Sequence, residues 1–197
     1  KGGYVSMAKR YQEYCKENSF YRTLADKGKE LPAVNQMIGA PIIWIQDHGD
    51  PNQIVKIAEQ MKNDGIDKAI IEVGHAHYSR TPGLEKEALQ MESVIQRVRD
   101  MSYVVSKYDQ YRECAEKDEN GHFWEQVNTD AFPDACLRQE SGELRQGWPP
   151  LFLMNLECGL ELAKKHIPAD LKRYAYNARF IDCIGTCVIW EGEDWDP

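Results

Sequence analysis

Apolar residues along this chain follow two alternating rhythms. "GAPIIWI" over 39–45 is short, apolar and rich in β-branched residues, as a buried strand is. "NQIVKIAEQMKNDG" over 52–65 has apolar residues at 54, 55, 57, 58 and 61, one helical face, with Gly65 placed to close it. "KAIIEVG" over 68–74 predicts strand again. "LEKEALQMESVIQRVRDM" over 84–101 predicts an amphipathic helix with Leu84, Ala88, Met91, Ile95 and Val98 on one stripe. "SYVVSKY" (102–108), "LFLMN" (151–155) and "ARFIDCI" (178–184) predict a third, fourth and fifth strand. A helix over 156–174 precedes the last of these, and Pro168 is expected to break or kink it. At the start, 4–18 reads as a helix with no strand before it.

Strands and helices alternating at this spacing mean βαβ units and a parallel sheet, so the fold class is α/β. Residues 109–150 break the rhythm: they are polar, carry Asp, Glu, Gly and Trp, and form a long insertion leaving the carboxyl end of a strand. That end carries the active site both in barrels and in open α/β sheets. Five strands do not close an eight-stranded barrel, which takes about 250 residues. The chain is then either an open sheet or a single partial (β/α)8 domain over 1–197, incomplete at one or both ends, and its abrupt ends favour the second.

The strand ends collect polar and ionisable residues. Asp47, His48 and Asp50 follow the first strand, and His75, His77, Tyr78 and Arg80 the second. Lys107, Asp109 and Tyr111 end the third, Asn155 the fourth and Asp182 the fifth. One acid at a strand end means little, but its recurrence from strand to strand describes a site. Asp50 has a simpler duty, capping the helix that begins at Pro51. His75 and His77 lie two apart and would share a strand face, which with Asp182 allows a metal-dependent hydrolase. Later strands supply no further histidine, so no metal or other cofactor is expected. Asp182 follows apolar residues with no evident helix to cap, and a carboxylate there must be solvated, paired or used. In glycoside hydrolysis one carboxylate attacks while another donates a proton, and Asp182 suits the attacking role.

Charge narrows the partners. With 24 Lys and Arg against 32 Asp and Glu, the net charge of -8 argues against nucleic acid and anionic membranes. No apolar run is long enough to span a bilayer. The six cysteines contain no CxxC pair, so a zinc ribbon or thioredoxin motif is not expected. Read as reduced, buried thiols, they favour the cytoplasm, but with Lys1 rather than Met at the start the absence of a visible signal peptide is uninformative.

A family resemblance runs through most of the chain. "GYVSMAKRYQEY", "GAPIIWI", "KYDQY", "GELRQGW", "LELAKKHIPADLK", "ARFIDCIGT" and "EDWDP", taken in order, resemble a glycoside-hydrolase group. It comprises the endo-α-N-acetylgalactosaminidases, the α-N-acetylgalactosaminidases (glycoside hydrolase families 101 and 129) and their bacterial relatives. The resemblance implies a (β/α)8 barrel that cleaves an α-linked sugar of an oligosaccharide or glycoconjugate with retention. By match to the "FID" strand end, Asp182 would be the nucleophile. The acid/base Glu would come on the next strand, beyond "EDWDP", together with further strands and accessory β-domains. Asp109 would bind substrate hydroxyls, and Trp124 and Trp148 in the insertion would stack on a sugar or simply pack the loop. "GHAHYSR" and "LFLMN" depart from the group's pattern and leave the specificity open.

A non-catalytic carbohydrate-binding barrel would keep the same pocket without a second carboxylate at about 5–9 Å from Asp182. A partial barrel also leaves strand edges and apolar surface uncovered. The chain expressed alone is therefore expected to self-associate, and a monomeric peak in light scattering after gel filtration would contradict this.

Overall fold

A computed structural model describes residues 2–45, 49–74, 85–117 and 128–183. The chain divides into two compact units, 1–40 and 41–197.

The first unit is helical: α1 (Gly3–Glu17), α2 (Leu24–Glu30) and α3 (Pro32–Met37). Thr23 caps α2, its hydroxyl accepting from the Asp26 N–H at 3.1 Å, and Pro32 opens α3 where a missing N–H costs nothing. No residue of α1 is buried.

The second unit carries the expected parallel sheet. Its strands are β1 (Ile42–Ile45), β2 (Ile70–Val73), β3 (Val104–Gln110) and, numbered in chain order, β6 (Ala178–Asp182). They lie in the order β1-β2-β3-β6, all parallel. Helices α4 (Asn52–Asn63) and α5 (Glu85–Asp100) are the crossovers. Just ahead of α4 the Asp50 carboxylate accepts from the Asn52 N–H at 3.0 Å, while Pro51 holds the N-cap position itself. Gly65, at φ 81°, turns the chain out of the helix in a conformation most side chains avoid.

Alternation along the strands sorts the sheet into two faces. Ile43, Ile45, Ile71, Val73 and Val105 pack with Ile54, Val55, Ala58, Met91, Val94, Ile95 and Val98 of the helices, forming the main core. The other parity places Trp44, Glu72, Ser106, Tyr108, Phe180 and Asp182 on the opposite face. The Tyr103 hydroxyl donates to the Ile66 carbonyl and ties the start of β3 to the loop before β2.

Two expectations need correction. "LFLMN" is not a strand of the parallel sheet. Phe152–Leu153 forms β5, antiparallel to β4 (Glu113–Cys114) in a separate two-stranded ribbon. The chain turns sharply after β3 and offers a nearer ladder partner, reinforced by the Leu137 N–H donating to the Leu153 carbonyl at 2.9 Å. Nor does Pro168 end its helix: α6 runs unbroken over Leu156–Arg173. A proline inside a helix forfeits a hydrogen bond and costs about 3 kcal/mol in isolation. Here the turn beyond it is held by Asp170, which is 3% exposed and pairs with Lys107 and Arg179.

Those ions belong to a cluster on the helix-covered face. Lys107 is fully buried and contacts Asp170 and, at 3.7 Å, Asp109, while Arg179 binds Asp109 and Asp170. Among the described residues, two cations and two anions thus meet between β3, β6 and α6. Removing one member strands the others in low dielectric. Asp170→Ala is expected to destabilise the fold by about 3–5 kcal/mol, read by urea denaturation. A loss below about 1 kcal/mol, the level of a surface pair, would contradict the account.

Candidate active site

The face opposite the helices is where chemistry gathers. Trp44, Tyr108 and Phe180 form an aromatic group: Trp44 stacks on Tyr108 with centroids 6.0 Å apart, and Phe180 lies 5.8 Å from Tyr108 and 6.1 Å from Trp44. The alternation of "ARFID" puts Ala178, Phe180 and Asp182 on this face. Register sets Phe180 opposite Tyr108 and Asp182 opposite Gln110, at the carboxyl end of both strands.

Each oxygen of Asp182 is held. The Tyr108 hydroxyl donates to Oδ2 at 2.8 Å, and the Cys183 backbone N–H donates to Oδ1 at 2.8 Å. The second bond needs a sharp turn, and Cys183 makes it at φ 66°, rare and costly for a residue with a side chain. Burial pushes the Tyr108 hydroxyl above the usual phenol range, and its hydrogen bond to Asp182 pushes the same way. Tyr108 is therefore a neutral donor at any working pH, and it fixes the carboxylate without competing for its proton. The Cys183 thiol is raised by burial and by Asp182, and Arg112 opposes this.

The turn after β3 is built from side-chain amides. The Gln110 carbonyl oxygen accepts from the N–H groups of Arg112 at 3.0 Å and Glu113 at 2.9 Å. Asn128 donates to the Gln110 backbone carbonyl at 3.0 Å. Glu113, 6% exposed, accepts from the Trp148 N–H through Oε1 at 2.8 Å. A Cβ on the neighbouring Gly147 would sit 2.4 Å from that oxygen, so a larger residue there would displace the Glu113 carboxylate. Trp148 itself is 72% exposed.

Asp109 and Tyr111 do not join Asp182. Alternation turns residue 109 to the helix-covered face, where Asp109 is 1% exposed within the ion set. Tyr111 is buried against α6: its ring lies 6.5 Å from His166, and a Cβ on Gly159 would meet its carbonyl at 2.3 Å. Asp47, His48, His75, His77 and Trp124 lie outside the described residues. Among the described residues no three His, Cys, Asp or Glu converge as a metal-binding group. Sequence reasoning did not single out Trp44, Tyr108, Phe180, Glu113 or Glu72. The signal was present, since Trp44, Glu72, Tyr108, Phe180 and Asp182 share one strand parity.

Comparison with known proteins gives the chain a family. Residues 79–196, more than half of the chain, match the family model described as glycosyl hydrolases related to the GH101 family, GH129. The chain belongs to this family. No curated protein sequence matches it. Among solved structures it is similar to the alpha-N-acetylgalactosaminidase NagBb from Bifidobacterium bifidum in a Gal-NHAc-DNJ complex. TM-score is 0.61 and identity 15%, over 89% of this chain and 32% of that one. The ligand-free form gives 0.60 and 15%, over 85% and 32%. A noncanonic maltogenic alpha-amylase, AmyB from Thermotoga neapolitana, gives 0.54 and 9%, over 78% and 41%. At these identities the shared property is the α/β fold, and this GH129 chain spans about a third of the length of NagBb.

Glu72 gives the site face a measurable property. Its side chain is 3% exposed and Oε1 has no hydrogen-bond partner among the described residues. Burial, with a smaller push from Asp109, raises its carboxyl to about 7, against opposing effects of Ser106 and Arg179. The folded state then keeps a proton that the unfolded chain releases near pH 4.5, so stability falls as pH rises from there to about 7. Glu72→Gln, which stays neutral, is expected to flatten that fall. Urea midpoints of the two proteins at pH 5 and pH 8 measure it, and equal pH slopes would contradict the assignment.

Proposed function

We propose that this GH129 chain is the nucleophile-bearing part of a retaining α-glycosidase, with an α-linked N-acetylgalactosaminide as the substrate class. The observation that carries the reading is Asp182. It ends β6 on the face away from the helices, with both oxygens oriented by hydrogen bonds from Tyr108 and Cys183. The family match and the name of NagBb support the substrate class. In this reading β1, β2, β3 and β6 are consecutive strands of a (β/α)8 barrel whose remaining strands lie outside this chain.

The carboxylate of Asp182 attacks the anomeric carbon from the face opposite the leaving group. The glycosidic C–O bond breaks, and its electron pair stays on the leaving oxygen. A carboxylic acid from outside this chain, about 5–5.5 Å from Asp182 in a retaining enzyme, protonates that oxygen. Water, deprotonated by the same group, then attacks the glycosyl ester and releases the sugar with its α configuration. Tyr108 and the Cys183 N–H hold the carboxylate in line while its charge is consumed and restored. Trp148, exposed and anchored through Glu113, is available to stack on the substrate.

The test is turnover of 4-nitrophenyl α-N-acetylgalactosaminide by the full-length protein. Asp182→Ala is expected to lose activity on the order of 10⁴-fold. Azide, occupying the vacated position, should restore part of it and yield a β-glycosyl azide. Tyr108→Phe removes one hydrogen bond to a charged group and should cost about 10- to 100-fold in kcat/KM. Equal turnover by Asp182→Ala and wild type would make Asp182 structural.

A further inference from the structure

Beside the site, the β4–β5 ribbon encloses a second small core that the glycosidase reading leaves without a role. Cys114 and Cys136 are buried in it with Ala135 and Met154, and Phe132, Leu144, Phe152, Cys158 and Leu162 pack around them. The two sulfurs are in contact at 3.1 Å. Three features bring them there. Cys114 pairs with Phe152 across the ribbon, Cys136 bridges to Met154, and the Asn155 N–H donates to the Ala135 carbonyl at 2.9 Å. The Cys136 backbone is thus positioned by β5 on one side of the ribbon and Cys114 on the other, and neither thiol faces solvent. Cys158 sits at the margin of the same cluster and is partly exposed.

We propose that Cys114 and Cys136 are a disulfide-forming pair, oxidised as the chain folds whenever a low-molecular-weight or protein disulfide is present. In the first step one cysteine thiolate attacks the oxidant's disulfide, forming a mixed disulfide and releasing a thiolate. In the second the other cysteine displaces the oxidant's remaining sulfur. Two protein thiols are oxidised, one external disulfide is reduced to two thiols, and the two protons pass to the released thiolates. Burial holds the Cys114 thiol well above the ordinary thiol range and raises that of Cys136, and in the folded protein this slows exchange with external reagents. The reaction therefore belongs to folding, and the finished bond resists reduction until the ribbon opens. Its consequence for the site is positional. Cys114 follows Glu113, the residue that anchors Trp148, so the bond staples the ribbon that carries Trp148 to the turn after β3.

The experiment compares full-length protein refolded with a glutathione disulfide buffer against protein refolded with excess reductant. Each sample is denatured, alkylated and mapped by peptide mass spectrometry without reduction. The oxidised sample is expected to give one crosslinked species joining the peptides of Cys114 and Cys136, lighter than their sum by two hydrogen atoms, with Cys158 alkylated. Its Tm should lie several degrees above that of the reduced sample. In Cys136→Ser and Cys114→Ser the crosslink and the Tm difference should both vanish, whereas Cys158→Ser should keep both. Mapping reads out even a variant of low stability. Full alkylation of Cys114 and Cys136 in the oxidised wild type, or a crosslink from either one to Cys158, overturns the proposal. None of these outcomes depends on the protein's hydrolytic activity.

Discussion

Two charged residues buried on the helix-covered face of β3 set the terms for the rest of this structure. All seven residues of β3 are buried, so Lys107 and Asp109 have no water to turn to. Among the described residues Asp170 and Arg179 arrive from α6 and β6 to pair with them. Such a set does not by itself make a fold more stable than a well-packed apolar layer would be. It does make any other arrangement of these elements costly. α6 has to continue past Pro168 to deliver Asp170, and β6 has to lie beside β3 to deliver Arg179.

The site inherits its geometry from that requirement. Once Arg179 is opposite Lys107, pairing puts Phe180 opposite Tyr108 and Asp182 opposite Gln110. Asn177 fixes the same register independently, its side chain accepting from the Val105 N–H at 2.8 Å. The hydroxyl of Tyr108 then reaches Asp182, and the carboxylate acquires its orientation. A change on the helix side of β6 is transmitted to the other side with no intervening loop to absorb it. The ion set and Asp182 are parts of one strand pair read from its two faces.

Membership of the GH129 family concerns the chain as a whole, and the hydrogen bonds give Asp182 its geometry. A carboxylate bonded through both oxygens is preorganised, and in the proposed role of nucleophile it would spend little conformational freedom on attack. The left-handed turn at Cys183 is the local cost, a conformation that surrounding structure must hold in place. The buried acid Glu72 on the same face is a second departure from a plain apolar strand interior.

Much of the fold was legible in the sequence. The period of apolar residues located α4, α5, β1, β2 and β3 to within a few positions, and Asp50 and Gly65 marked the two ends of α4, because these choices are settled by neighbours within a turn or a strand. Asp182 stood out for the same kind of reason, as a charge closing an apolar alternation. Only the tertiary structure decided which face each charge would use. It sent Asp109 to the ion set and Tyr111 against α6, carried the helix through Pro168, and gave "LFLMN" to the ribbon. The decisive contacts join residues far apart in the chain: Lys107 to Asp170 across 63 positions, Asp109 to Arg179 across 70 and Tyr108 to Asp182 across 74. A local pattern specifies that a side chain is polar and which strand parity it has, while the partner that makes its burial tolerable is chosen by how the strands are brought together.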